Sequence, residues 1–255
     1  MDIHMTAEIA ALLFITGLSA GFVDAIAGGG GLIALPVLLS IGLPPQIALG
    51  TNKLQGTFGT LASSYQFFRK GQVDFREAMP GILYTFVGAA AGTTLVQNIS
   101  PSFLGYMVPV LLVGVFVYTL FSKSLGYERR PPKMASRVFY TVFGLALGFY
   151  DGFFGPGAGS FWMAAFCVFL GFDLTRSAGF TRAMNFTSNL VSLAVFILGG
   201  NVLYSVGLLM AAGQFIGGRL GANLAMKKGA GFIRLVFLTV VAATVARLVY
   251  VTYLA

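Results

Sequence analysis

Hydrophobic residues fill this chain in long runs, and polar residues are confined to the gaps between them. The longest stretches without a charged residue are Ala78–Ser122, Ala183–Gly218 and Gly152–Phe172, of 45, 36 and 21 residues. A helix needs about 20 residues to cross the roughly 30 Å hydrocarbon core of a bilayer, so each of the two longer runs has room for two crossings. The pattern predicts an all-α polytopic membrane protein.

The apolar segments form two sets of five, separated by the polar stretch SKSLGYERRPPKMASR at residues 122–137. The predicted segments are 6–24, 29–41, 45–68, 76–97 and 102–121, then 137–151, 156–170, 174–198, 202–225 and 231–252. The chain is therefore predicted to have about ten transmembrane segments in two membrane repeats, 1–122 and 137–255, joined by a linker at 123–136.

The two halves resemble each other in sequence. Gly21-Phe22-Val23-Asp24 matches Gly148-Phe149-Tyr150-Asp151 at an offset of 127 residues, and beyond this match the offset is a constant 129. At that spacing Lys53 corresponds to Arg182, and Gly92 corresponds to Gly221. A constant offset across some 50 residues indicates an internal duplication.

The basic loops exchange places between the halves, as inverted repeats require. The loop after the third segment is basic (residues 69–76), whereas its counterpart at 198–201 has no charge. The loop after the fourth segment is uncharged, whereas its counterpart carries Lys227 and Lys228. Because basic loops lie in the cytoplasm, the linker 123–136 is predicted to be cytoplasmic and both termini to lie on the outer side.

A glycine string interrupts each half, as GFVDAIAGGGGLIAL at 21–35 and GFYDGFFGPGAGSFW at 148–162. Glycines spaced four apart, as in GAAAG at 88–92 and GGRLG at 217–221, suit close helix packing. The strings suit packing less well, and they break the helix. Broken backbone at membrane depth must line a cavity or be buried, and the N–H groups of a restarting helix attract anions. The predicted anion-binding glycines are Gly29, Gly30, Gly31, Gly157 and Gly159.

Two cationic side chains lie deep in predicted membrane segments, at equivalent positions of the two halves. Lys53 and Arg182 each lie about eight residues inside a segment, which is on the order of 12 Å into the bilayer. A basic residue at the centre costs about 2.5–3.5 kcal/mol on insertion scales, which suggests a functional role. Lys53 and Arg182 are predicted to bind a small oxyanion. Thr57 and Thr60 share a helical stripe with Lys53, and Asn185 and Asn189 share one with Arg182. Together with Asn52 beside Lys53, the residues Thr57, Asn185 and Asn189 are predicted to complete the substrate-binding site.

Asp24 and Asp151 allow a second interpretation, in which they form internal salt bridges with Lys53 and Arg182. Both interpretations hold together if the aspartates are counter-ions that release the cations when substrate arrives. Either aspartate could also carry a coupled proton.

Other functional classes find little support in the sequence. The chain has one histidine, His4, and one cysteine, Cys167, and neither lies near the polar positions, so we predict no metal site, no cofactor and no enzyme activity. Cys167 is predicted to be a core thiol. The basic residues behind the net charge of +8 lie mostly in short loops and do not indicate a nucleic-acid partner. A membrane anchor would not need paired buried cations.

The glycine strings and the segment GTNKLQ resemble the TauE/SafE sulfite exporter (TSUP) family, and in particular its bacterial YfcA-like subgroup. The resemblance extends from Leu13 to Tyr250. It implies a multi-pass protein of the bacterial inner membrane that exports or takes up sulfite, thiosulfate or organosulfonates. The predicted function is secondary transport of such an anion by alternating access, and the alternative is a passive anion channel or uniporter.

Overall fold

The structure is a computed structural model that describes residues 5–108, 110–111, 130–229, 232, 235 and 239, and these residues form helices and no strands. In the first half, α1 is Ala7–Ala27, α2 is Gly30–Ser40, α3 is Pro45–Arg69 and α4 is Phe75–Gln97. Helix α5 is described over residues 101–108. In the second half, α6 is Ser136–Phe153, α7 is Ala158–Phe169, α8 is Leu174–Leu198 and α9 is Tyr204–Lys228.

The predicted apolar segments coincide with these helices where the chain is described. Segments one to four and six to nine have ends within three residues of α1–α4 and α6–α9. Only the first part of the predicted segment 102–121 is described. His4, residues 123–129 of the linker and most of the predicted segment 231–252 lie outside the described residues.

The helices differ in length and polarity. Helices α1 and α4 are long and apolar enough to cross a bilayer, with mean hydropathies of 2.0 and 1.4. Helices α3 and α8 have 25 residues each, but amides, hydroxyls and a cation occupy their middle turns. Helices α2 and α7 have only 11 and 12 residues, so each is about 17 Å long and too short for a full crossing.

Glycines with left-handed backbone angles produce the two helix breaks. Helix α1 ends at Gly28, whose φ is 80°, and α2 begins two residues later. Gly155 and Gly157, with φ of 97° and 82°, connect α6 to α7. Residues with a Cβ rarely adopt these angles, so the glycine strings themselves end α1 and α6.

Glycines also bring the two halves into close contact. Helix α1 packs against α9, and α4 packs against α6. A Cβ at Gly92 would overlap the carbonyl oxygen of Phe149, and a Cβ at Gly221 would overlap the carbonyl oxygen of Phe22. The packing role predicted for GAAAG and GGRLG is confirmed.

We expect Gly92→Leu to destabilise the protein by about 3 kcal/mol or more, because the new side chain would push α4 away from the backbone of α6. The fluorescence of Trp162, the single tryptophan, would report the apparent melting temperature in detergent. The matched control is Gly105→Leu, where a Cβ would meet no atom of the described residues within 4 Å. Equal losses in the two variants would contradict the packing role of Gly92.

Two apolar clusters lie on either side of a polar layer. Along α3, Leu49 belongs to one cluster and Phe67 to the other. Along α8, Met184 belongs to the cluster of Phe67, and Phe196 belongs to the cluster of Leu49. The two helices therefore connect the clusters in opposite chain directions. Most of the buried polar side chains of both helices lie between these points, so the fold concentrates its polar groups in the middle of two long helices.

Candidate functional site

Helix α3 brings Lys53 against the end of α6. The Lys53 side chain is 2% exposed, and its Nζ lies 2.6 Å from Oδ1 of Asp151. Nζ also donates to the Asp151 carbonyl oxygen at 2.5 Å and to Asn189 Oδ1 at 3.2 Å. The other carboxylate oxygen of Asp151 accepts a hydrogen bond from Ser188 Oγ. Each charge of this pair is therefore held by several hydrogen bonds.

Helix α8 brings Arg182 against the end of α1. The Arg182 side chain is completely buried, and its Nη1 lies 2.9 Å from Oδ2 of Asp24. Nη1 also donates to the carbonyl oxygen of Asp24. Asp24 Oδ1 accepts a hydrogen bond of 3.2 Å from the backbone N–H of Gly30, the first residue of α2. The N-terminus of this broken helix therefore contacts an aspartate of its own half.

The two ion pairs cross between the halves. Lys53 of the first half pairs with Asp151 of the second, and Arg182 of the second half pairs with Asp24 of the first. The salt-bridge interpretation of these four residues is therefore realised. The two cations and two carboxylates sum to zero charge, which offsets part of the cost of burying them.

The pairing leaves part of the Arg182 guanidinium without a partner. Among the described residues, no hydrogen-bond acceptor is assigned to Arg182 Nε or Nη2, although both atoms are buried. Nη2 lies 2.9 Å and Asn185 Nδ2 lies 2.8 Å from the position that a Cβ on Gly159 would occupy. These donors therefore meet at the first turn of α7, where helix N–H groups also attract negative charge.

A small cavity of about 30 Å³ lies among these groups. Residues from α1, α2, α3, α6, α7, α8 and α9 and from the two helix breaks line it. The predicted substrate ligands in its wall are Asn52, Lys53, Asn185, Asn189, Gly31, Gly157 and Gly159, and both predicted counter-ions, Asp24 and Asp151, line it as well.

Four of the predicted ligands do not line the cavity. Arg182 does not line the cavity, although its guanidinium contacts Asp24 and lies close to Gly159, which both do. Thr57 Oγ1 donates to the Lys53 carbonyl oxygen at 2.7 Å, a bond within its own helix that turns the hydroxyl away. Gly29 caps the start of α2 and Gly30 is its first residue, and the N–H of Gly30 donates to Asp24 Oδ1.

The cavity wall also contains residues that the sequence analysis did not select. They are Gly28, Gln55, Gly56, Gly155 and Gln214. Gln55 lies two residues after Lys53 within the quoted motif GTNKLQ, and Gln214 lies in the long uncharged run of the second half. The available signal was a polar amide in an uncharged apolar segment for Gln214, and the proximity to Lys53 for Gln55.

The two glycine strings touch each other. A Cβ on Gly28 would lie 2.6 Å from the Cα of Gly159, and Ser160 Oγ donates to the carbonyl oxygen of Ala27 at 3.0 Å. The sequence favoured a helix break over close packing as the role of these glycines. In the structure the glycine strings have both roles, because they end the helices and also pack against each other. The end of α1 and the start of α7 form one rigid contact beside the cavity.

Helices broken beside a buried, ion-paired cavity are features of membrane transporters, and two bacterial relatives belong to that class. The chain is 44% identical over 250 residues to a "Probable membrane transporter protein" of Haemophilus influenzae, across 98% of this chain and 97% of the relative. It is 40% identical over 239 residues to "Probable membrane transporter protein YfcA" of Escherichia coli strain K12, across 94% and 89%. The chain is a membrane transporter by these comparisons.

The family is identified by a match over nearly the whole chain. The family model "Sulfite exporter TauE/SafE" matches residues 13–248, and the chain belongs to this family. The "Sulfite exporter TauE/SafE family protein 6" of Arabidopsis thaliana is 31% identical over 100 residues, across 39% of this chain and 23% of the relative. No solved structure matches the chain.

Proposed function

We propose that the protein is a secondary transporter that moves a small sulfur oxyanion, such as sulfite, thiosulfate or an organosulfonate, by alternating access. One observation carries the proposal: Arg182 is fully buried beside the cavity, and its Nε and Nη2 have no assigned acceptor among the described residues. A guanidinium stays charged and matches oxyanion geometry with paired N–H donors. Since buried donors are rarely left without partners, an oxyanion is the natural acceptor for them.

The size of the cavity favours a small substrate. Its volume of about 30 Å³ is well below the roughly 300–1,000 Å³ of sites that hold drug-sized ligands. The name of the family, sulfite exporter, agrees with an anion of this size.

Two cations and two carboxylates leave the site with no net charge, and this balance suggests that Asp24 acts as a counter-ion to Arg182. A substrate anion adds a negative charge to two balanced ion pairs, so it competes with a carboxylate for a cation. The Asp24 side chain is 15% exposed, whereas that of Asp151 is 5% exposed and held by Lys53 and Ser188. We infer that Asp24 moves aside when substrate binds Arg182, and that the Lys53–Asp151 pair stays closed.

We infer the architecture from the repeated packing. The contact of α1 with α9 has its counterpart in that of α6 with α4, and the contact of α1 with α2 in that of α6 with α7. The same helix contacts recur with the two halves interchanged, which supports two inverted repeats of five segments, 1–122 and 137–255. We infer that these repeats rock against each other during transport. The proposed location is the bacterial inner membrane, with the linker 123–136 in the cytoplasm and both termini outside.

A ligand screen on purified protein tests the proposed substrate class. We expect sulfite, thiosulfate or sulfoacetate to raise the apparent melting temperature by several degrees, because a ligand that binds only the folded state stabilises it. Acetate serves as the carboxylate control and sulfate as the oxyanion control. A profile in which acetate stabilises as much as every sulfur anion would contradict the proposal.

Flux into proteoliposomes then separates the transporter from the alternative uniporter. A secondary transporter is expected to show saturable uptake that responds to an imposed ion gradient at constant membrane voltage. Flux that follows voltage alone would favour a passive channel.

A further inference from the structure

Three side-chain oxygens at the cavity have no hydrogen-bond donor among the described residues. They are Gln55 Oε1, Asn185 Oδ1 and Gln214 Oε1. Their residues are 1%, 5% and 3% exposed, and all three line the cavity. The mechanism proposed above uses none of them, because a carbonyl oxygen accepts hydrogen bonds and gains nothing from a bare anion.

The orientation of Gln55 follows from its own contacts. Its Nε2 donates to Asn52 Oδ1 at 2.7 Å, which fixes the amide nitrogen on the side of Asn52. The amide oxygen points away from that contact and has no assigned donor among the described residues.

Gln214 reaches the cavity from the opposite half, through space that two glycines leave open. A Cβ at Gly59 would lie 2.7 Å from Gln214 Oε1, and a Cβ at Gly21 would overlap the same atom. Gly21 and Gly59 thus give the amide of α9 a passage between α1 and α3. The buried oxygen at its tip has no assigned partner in the described part of the chain.

The cavity therefore offers donors and acceptors together. Arg182 Nε and Nη2 beside the cavity and Asn185 Nδ2 in its wall supply donors, and the three amide oxygens supply acceptors. Resting on the proposed function, we propose that the transported oxyanion carries its own hydrogen-bond donor, an O–H or N–H group, as hydrogen-oxyanions and aminosulfonates do. Such an anion satisfies both sets, whereas an anion with acceptors only leaves the amide oxygens unpaired.

A metal cation would be the other ligand for a group of amide oxygens. The charges around the cavity disfavour it: Lys53 lies in the wall, Arg182 contacts the wall residue Asp24, and each aspartate is already bound to one of these cations. A donor carried by the substrate meets the same oxygens without adding a third positive charge.

Two isosteric anions test the inference on the full-length protein in detergent. Sulfamate and methanesulfonate are monoanions of similar size that differ in bearing an amino or a methyl group on the sulfonate. We expect sulfamate to bind at least about tenfold more tightly by calorimetry, because roughly 1.4 kcal/mol of hydrogen bonding corresponds to a factor of ten. Equal affinities, or binding of neither anion, would overturn the inference, whereas the proposed function is decided by the separate screen with sulfite, thiosulfate and sulfoacetate.

Variants locate the acceptor. In Gln214→Met the affinity for sulfamate is expected to fall to that for methanesulfonate, while methanesulfonate still binds and so reports a folded site. Gln55→Met should reduce the preference in the same way. The matched control is Gln66→Met, since Gln66 is 6% exposed on the same helix as Gln55 but does not line the cavity. An unchanged preference in both cavity variants, or binding that requires sodium and ignores the amino group, would overturn the inference.

Discussion

Arg182→Met is expected to cost about 3–5 kcal/mol of stability and to abolish oxyanion binding. The side chain is fully buried and forms an ion pair of 2.9 Å with Asp24. Its removal leaves a carboxylate at membrane depth without a counter-charge, which is the expensive way to break a buried pair. The apparent melting temperature and calorimetry with sulfite would measure the two losses.

A second substitution separates the two effects. In Arg182→Met with Asp24→Asn, no buried charge is unpaired, so most of the stability should return while oxyanion binding stays lost. The control is Arg176→Met in the same helix, because the pair between Arg176 and Glu77 is 26% and 39% exposed and such pairs contribute only about 0–1 kcal/mol. Oxyanion binding at wild-type affinity in the stable double variant would remove Arg182 from the site.

Gly28→Ala is expected to destabilise the protein by several kcal/mol and to weaken oxyanion binding by more than tenfold. The residue has a φ of 80°, which costs an alanine about 1–2 kcal/mol. In addition, the new Cβ would lie 2.6 Å from both Gly159 Cα and Ser160 N, so α7 must shift away from α1. That shift moves the first turn of α7 relative to Arg182 Nη2 and Asn185. Thermal unfolding and sulfite titration would measure it.

Gly42→Ala is the matched control for this experiment. Gly42 has a φ of 87°, but a Cβ there would meet no atom within 4 Å in the described part of the chain. The backbone strain is therefore shared, and only Gly28→Ala adds the collision with α7. If the two variants lose the same stability and keep the same affinity, the contact between the glycine strings does not shape the site.

The helices could be predicted because their signals are local. Segments such as 45–68 and 174–198 coincide with α3 and α8, since an apolar run bounded by proline or aspartate begins and ends a helix without help from the rest of the chain. The breaks after Asp24 and Asp151 were equally readable, because a glycine string weakens any helix that contains it. The repeat offset also singled out Lys53 and Arg182 as an equivalent pair.

The details of the site could not be predicted in the same way. Which aspartate pairs with which cation depends on how the halves face each other, and the crossing of the pairs lies beyond any pattern of spacing. Helical periodicity placed Thr57 beside Lys53, but its hydroxyl bonds to the helix backbone instead of facing the cavity. Gln214 enters the cavity only because Gly21 and Gly59, on two other helices, leave it room.

An all-helical chain with two glycine-broken helices and a buried cation in each half could be predicted from the amino-acid sequence, because these properties follow from composition and spacing within single segments. Only the packing of the helices shows that each cation meets the aspartate of the other half, that Arg182 does not line the cavity, and that two glutamines do. The physical reason is that a charge or amide in a low-dielectric interior takes its partner from whichever helix packs nearest, and that neighbour is set by the fold as a whole.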